Sequence, residues 1–415
     1  MSCSSISKRA RAIAWLFTMV YFASYTMRIN FAVMMVKICA DMQVEKTQLA
    51  IVVTGLTVSY GVGQVISGLL GDRVKPQRLL SVGLLLACAC NIVMSFSTAI
   101  PLMVAVWTVN GFAHALMWPP MVRMMSVNLS DAEYGLAAVR VSWGSQFATI
   151  LLYVGCPLLL SFLPWRGVML CCAALGGCLT LVWMLIHPRL IEERKHEDPI
   201  AKSDPTPTEK IPLPRYVYIP VVLIILGIIS QGTLRDGVTN WMPSYLLETF
   251  RLPEENAILA TVILAIFGVF SFSVFDAIHR KLFRNEVLCA GMIFLLSTLA
   301  AGILYVVNLF SASVAISMLL MAVIVGSMHG INLMLITVVP KRFVKSGRVA
   351  TYSGLLNACT YIGAALSTYG FAALAERFGW NFTILTWVAV SLCGTLFCLF
   401  ATPLWKRFRR EYADD

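Results

Sequence analysis

Charge is scarce in this chain. Only 13% of its 415 residues are Asp, Glu, Lys or Arg, against about a quarter in soluble domains. With 59% of residues hydrophobic, that scarcity excludes a soluble globular protein. Catalytic and metal-binding signatures are missing too: no Walker-type Gly-rich loop, no nucleophile constellation and no cluster of metal ligands can be read. Neither an enzyme, nor a metal centre, nor a bound cofactor is expected. The 12 cysteines include no CxxC pair and no histidines at zinc spacing. Nearly all, such as Cys88, Cys90, Cys156, Cys172 and Cys398, fall inside apolar runs and read as small packing residues. A cleavable leader is not expected, because the N-terminus passes into the first apolar run without a small-residue cleavage site.

What is there is apolar sequence in runs of about 20 residues, the length that crosses a bilayer. They lie near 12–36, 49–70, 79–99, 101–122, 137–163, 166–187, 216–247, 256–277, 286–307, 312–339, 349–374 and 381–404. Twelve spans put both termini on one side. If that side is cytoplasmic, 24 of the 32 Lys and Arg flank spans there and 5 lie outside, the bias that orients membrane proteins. The net charge of +11 then needs no nucleic acid. The expectation is an all-α, multi-pass protein of the cell (inner) membrane with cytoplasmic termini, working as a monomer, whose partners are the bilayer and a small anionic solute.

Proline and charge break the pattern once, at HPRLIEERKHEDPIAKSDPTPTEKIPLPR, a composition that cannot bury enough apolar surface to fold alone. A linker at 188–215 therefore divides an N-terminal half, 1–187, from a C-terminal half, 216–415. The halves correspond at offsets of 207 to 215 residues: Thr26-Met27-Arg28 with Thr233-Leu234-Arg235, Gly111-x-x-His114 with Gly326-x-x-His329, and Trp165 with Trp380. Two pseudo-symmetric six-helix bundles related by an axis along the membrane normal are the layout of major facilitator transporters. Gly68-x-x-x-Asp72-Arg73 between spans two and three resembles the cytoplasmic loop motif of that superfamily. An acid at one helix end beside basic residues can lock the halves by ion pairing and release them, so Asp72 and Arg73 are candidate gating residues.

Arg28 and Arg235 stand alone in otherwise apolar stretches. An arginine near the bilayer centre costs about 3 kcal/mol on insertion scales, and guanidinium, always charged and forked, is a two-point reader of oxyanions. Around them the sequence resembles the organophosphate:phosphate antiporter family of glycerol-3-phosphate and hexose-6-phosphate carriers. The resemblance rests on Tyr21-Phe-Ala-Ser-Tyr25-Thr-Met-Arg28-Ile-Asn30-Phe31, Ser59-Tyr60-Gly61, Met117-Trp118-Pro119-Pro120 with Arg123, Leu234-Arg235-x-Gly237-x-x-x-Trp241-x-Pro243-x-Tyr245, and Gly354 with Tyr361-Ile-Gly363. It implies that Arg28 and Arg235 bind the phosphoryl group and that an organic phosphate is exchanged for inorganic phosphate. Tyr25, Tyr60, Trp118 and Tyr361 are implied lining residues. His114 and His329, at equivalent places on the fourth and tenth spans, are candidate donors to the anion.

Several positions depart from that family. Ile29 and Gln64 stand where those carriers have basic residues, and Ser145 with Gln146 stands at the fifth-span histidine, which makes Gln146 a candidate ligand. Arg140 either snorkels to the headgroups or joins the pore. Asp236 follows Arg235 directly; neighbours on a helix project about 100° apart, so it is expected either to pair with a cation on another helix or to take up a proton during transport. Three functions stay open: organophosphate exchange, proton-coupled transport of a carboxylate or other organic anion, and a transporter-like receptor that senses its ligand.

Overall fold

The computed structural model describes residues 6–192, 212–253, 260–310 and 313–413. Among them every regular element is helical: α1 Lys8–Thr26, α2 Asn30–Met42, α3 Lys46–Gly71, α4 Pro76–Phe96, α5 Ile100–Ala115, α6 Trp118–Asn128, α7 Asp131–Leu160, α8 Trp165–Glu192, α9 Tyr218–Phe250, α10 Val262–Lys281, α11 Glu286–Leu309, α12 Val314–Asn332 and α13 Val349–Phe408. Joined across short breaks, they make 11 helical stretches among the described residues that are long and apolar enough to cross a membrane.

Several expected spans differ in shape. The first, expected at 12–36, is α1 and α2 with a break between them. The fourth is α5 and α6, separated at Leu116 and Met117. The tenth runs past α12 through a wider π turn, Leu333–Val338. The last two expected spans lie within α13, interrupted at Gly379 with φ 76° and ψ 175°, a backbone region that side chains on Cβ avoid. The linker expected at 188–215 begins later, since α8 stays helical to Glu192; its residues 193–211, and the starts of the spans expected at 256 and 312, lie outside the described residues.

The chain divides into two compact units, Met1–Pro212 with Phe343–Leu355, and Leu213–Arg342 with Leu356–Asp415. Phe343–Leu355 groups with the first unit although it lies beyond the linker. The reason is local: the Asp72 carboxylate at the end of α3 accepts from the backbone N–H groups of Ala350 and Thr351 at 2.9 and 2.8 Å. It caps the start of α13, where unpaired N–H groups favour an anion.

In the first unit α1 packs on α7 and α8, and α5 on α3 and α4. Beyond the Arg28 break, Phe31, Met34, Ile38, Trp107, Trp165 and Met169 are fully or nearly fully buried in one apolar cluster. Trp165 Nε1 donates to Asp41 at 2.8 Å, and Arg166 bonds the same carboxylate at 3.0 Å and the Ser97 carbonyl at 3.3 Å. The second unit repeats this clasp with other side chains: Trp380 Nε1 donates to Glu248 at 2.8 Å, and Asn381 accepts from Asn308. At the other end of the second unit Glu286, fully buried, accepts from Arg342, Arg409 and Trp405 at 3.0, 2.8 and 3.1 Å. A buried carboxylate held by that many donors is compensated for leaving water.

Candidate functional site

In the first unit α1 stops at Thr26 and α2 starts at Asn30, so Arg28 sits within the break. Backbone released from a helix inside a membrane must find other partners. Here three fully buried asparagines supply them. Asn91 and Asn110 donate to the Met27 carbonyl at 2.8 and 3.1 Å. The Phe31 N–H donates to Asn30 Oδ1 at 2.9 Å, and Asn30 Nδ2 donates to Asn91 Oδ1 at 2.8 Å. The break is thus a built feature, and it turns the Arg28 side chain onto a wall of rings. Its Cζ lies 3.9 Å from the Tyr60 ring centre and 5.5 Å from that of Tyr25. Tyr21 packs on Tyr25 and Trp118 at centroid distances of 5.0 and 5.1 Å. Ring faces attract a cation through their quadrupoles.

One turn before Arg28, Ser24 Oγ and His114 Nδ1 lie 2.9 Å apart, which orients the imidazole. His114 Nε2, Trp118 Nε1 and both amide atoms of Gln64 are buried with no hydrogen-bond partner among the described residues. Buried polar atoms are paired in nearly all folded proteins, so such a group marks a place for water or ligand. Gln146 is buried on α7 and makes no hydrogen bond to this cluster among the described residues. Arg140 Cζ stacks over the Trp15 ring at 5.1 Å, and Trp15 is largely exposed.

In the second unit α9 runs through Arg235 without a break. Arg235 Nε and Nη2 donate to the two carboxylate oxygens of Asp236 at 2.6 and 3.0 Å. This corrects the expectation of a partner on another helix. The α-carbons do project apart, but the arginine stem is long enough for its fork to fold back onto the next side chain. Gln231 Nε2 donates to the Met328 carbonyl at 3.1 Å, and its Oε1 has no partner among the described residues. His329, half-buried, packs on Phe272 with centroids 5.2 Å apart. Tyr361 follows Thr360, whose carbonyl faces Gly232 so closely that a methyl group there would collide with it; Gly363 meets the Ile229 carbonyl in the same way. Glycine at both positions is what lets α9 and α13 pack at that distance.

Asp72 and Arg73, the candidate gating residues, have different surroundings. The partners of the Asp72 carboxylate are the backbone amides of Ala350 and Thr351, while Arg73 is exposed. The basic residue that meets this loop is Arg123, whose Nη1 donates to the Gly71 carbonyl. The anion of the motif works as a helix cap, which satisfies two orphan donors at once. The residues that sequence reasoning passed over are Ser24, Asn91 and Asn110. Their signal is an Asn or Ser inside otherwise apolar runs, as in LLACACNIVM and VAVWTVNGFAH.

The chain matches the model of the Major Facilitator Superfamily over residues 17–368. It is 25% identical to a probable hexose phosphate transport protein of Chlamydia muridarum, over 93% of this chain and 89% of that one. It is 23% identical to the glycerol-3-phosphate transporter of Bacillus subtilis, over 93% of this chain and 91% of that one. Among solved structures, a proton:xylose symporter superposes with a TM-score of 0.74 at 12% identity, covering 97% of this chain and 96% of the other. The fold is that of a multi-pass membrane transporter, and the chain belongs to the Major Facilitator Superfamily.

Proposed function

We propose that this protein exchanges a phosphate ester for inorganic phosphate across the membrane by alternating access, with Arg28 and Arg235 recognising the phosphoryl group. The observation that carries this reading is the arrangement around Arg28: a helix break secured by three buried asparagines, a cation against ring faces, and a histidine and a glutamine whose polar atoms have no hydrogen-bond partner among the described residues. A phosphoryl group offers the acceptors that such donors need, and the cost of burying arginine is repaid by a paired anion. The relatives named for hexose phosphate and glycerol-3-phosphate transport point to the same cargo.

In this reading the spans number twelve, counting α13 as two at Gly379, six on each side of the linker, with domains 1–187 and 216–415 and both termini cytoplasmic. Tyr25, Tyr60 and Trp118 line the approach to Arg28. His114 donates to the anion from the first half and His329 from the second, and Gln146 and Tyr361 shape the space for the organic part. Asp72 acts as a gate: in one state it caps the start of α13, and in the other it gives up that cap.

Proteoliposomes loaded with phosphate and given labelled glucose-6-phosphate or glycerol-3-phosphate test this. Wild-type protein is expected to show counterflow. Arg28→Lys and Arg235→Lys keep the charge but lose the planar fork, and each is expected to lower the rate at least tenfold. Full-rate exchange in both variants would sink the two-arginine site.

A further inference from the structure

One of the asparagines that secure the Arg28 break also touches sulfur. Asn30 Nδ2 donates to the thioether of Met169 at 3.4 Å, beside its bond to Asn91. Met169 and Cys172 stand three residues apart on α8, hence on one face. Cys172 meets the Asn30 side chain and lies within hydrogen-bond reach of Cys156 on α7. All four are buried, at 0% exposure for Asn30 and Met169, 6% for Cys172 and 2% for Cys156, and the three sulfur residues belong to the apolar cluster beyond the break. Two thiols and a thioether therefore converge from two helices around one amide.

Packing alone does not call for sulfur at this place. Trp165 and Trp380 set an offset of 215, under which Cys156, Met169 and Cys172 correspond to Phe371, Ile384 and Trp387. There the second unit uses rings: Phe371 and Trp387 meet edge to face with centroids 6.0 Å apart. Phe371 also lies so close to Gly237, the counterpart of Asn30, that a methyl group there would strike it. An equivalent core is built there without sulfur.

We propose that Cys156, Cys172 and Met169 form a binding site for a thiophilic monovalent ion of the cuprous class. Thiolate and thioether donors select soft ions over hard ones, and an ion satisfied by three sulfurs needs no water in an apolar core. On binding, one thiol gives its proton to the solvent and becomes a thiolate. The other thiol and the thioether coordinate through lone pairs, and no electron is transferred. One cation and one thiolate sum to a neutral complex, which an apolar core accepts at far lower cost than a charged one. Asn30 stands outside this set as the amide that orients it, the role of outer partners at metal sites. Cys171, next to Cys172 on α8, is exposed, so the ion enters from the surface by exchange between neighbouring thiols. The site is separate from the arginines and asks nothing of the cargo.

The test adds Cu(I) without oxygen to the full-length protein in detergent, in competition with a colorimetric Cu(I) chelator. Wild type is expected to withdraw one ion into a tight site and to release one proton as it does so. Its melting temperature is expected to rise, because a ligand that binds the native state alone stabilises it. X-ray absorption at the copper edge is expected to show sulfur neighbours alone. Cys156→Ser and Cys172→Ser are each expected to weaken the tight site by more than the about 10–100-fold that loss of an outer partner costs, and Met169→Leu by about tenfold. Replacing Cys88 on α4 and Cys178 on α8 by serine should leave it unchanged. Tight binding that survives Cys156→Ser combined with Cys172→Ser overturns the site. So does a wild-type protein that yields its copper to the chelator, or whose copper shell contains nitrogen or oxygen. If a variant does not fold, the wild-type stoichiometry and absorption spectrum decide by themselves.

Discussion

The two units carry arginine at corresponding positions and treat it in opposite ways. In the first unit the helix breaks at Arg28, three asparagines secure the break, and the cation rests on tyrosine rings. In the second the helix is continuous, Gly237 stands at the counterpart of Asn30 and Val325 at that of Asn110, and the cation is closed onto Asp236. Tyr25 has Gly232 as its counterpart, a ring on one side and a close helix contact on the other. The sequence carries the charge at corresponding positions, and its surroundings differ. One cation is presented from irregular backbone against π faces. The other sits on a continuous helix beside its own carboxylate. Similar position in a repeat is therefore weak warrant for similar role.

Exchanging residues between counterparts is the direct way to break that comparison. The largest effect is expected from Gly232→Val, which drives a branched side chain into the Thr360 carbonyl. Overpacking of this kind costs about 1–3 kcal/mol or more, and thermal melting in detergent should show loss of folded protein. Tyr25→Val, at the corresponding place, should melt close to wild type and lose exchange instead. Next is Asn110→Val, which installs the residue found at 325. It removes one donor from the Met27 carbonyl, at about 1–2 kcal/mol for a hydrogen bond between membrane helices, and should lower both the melting temperature and the exchange rate. Val325→Asn in the second unit has no freed carbonyl on α9 to serve and should not raise activity. The smallest effect is at the Tyr60 ring, where the contact with Arg28 is worth about 0.5–2 kcal/mol. Tyr60→Leu should weaken half-saturation for the ester by about twofold to thirtyfold, and Tyr60→Phe, which keeps the ring, should weaken it less.

How much of this was legible beforehand follows from the kind of signal involved. The helical class and the apolar stretches could be read because hydropathy acts on one run at a time. Thr26-Met27-Arg28 and Thr233-Leu234-Arg235 lie in one register of the sequence. The break at Arg28 could not be read, since it depends on Asn91 and Asn110 arriving from two other helices, and no local breaker such as proline marks it. The Arg235–Asp236 pair was set aside on helical geometry that treats side chains as short spokes, whereas arginine is long enough to fold back. Asp72 was recognised as important, but its partners are main-chain amides near residue 350, and backbone groups leave no mark on a motif.

The paired clasps, Trp165 on Asp41 and Trp380 on Glu248, also give each half its own indicator. An indole N–H donating to a carboxylate has a strongly displaced proton resonance, and the two signals arise from different units. Labelling the tryptophan nitrogens and following these two peaks during titration with phosphate would report which half rearranges first, from within the native chain and without an attached dye.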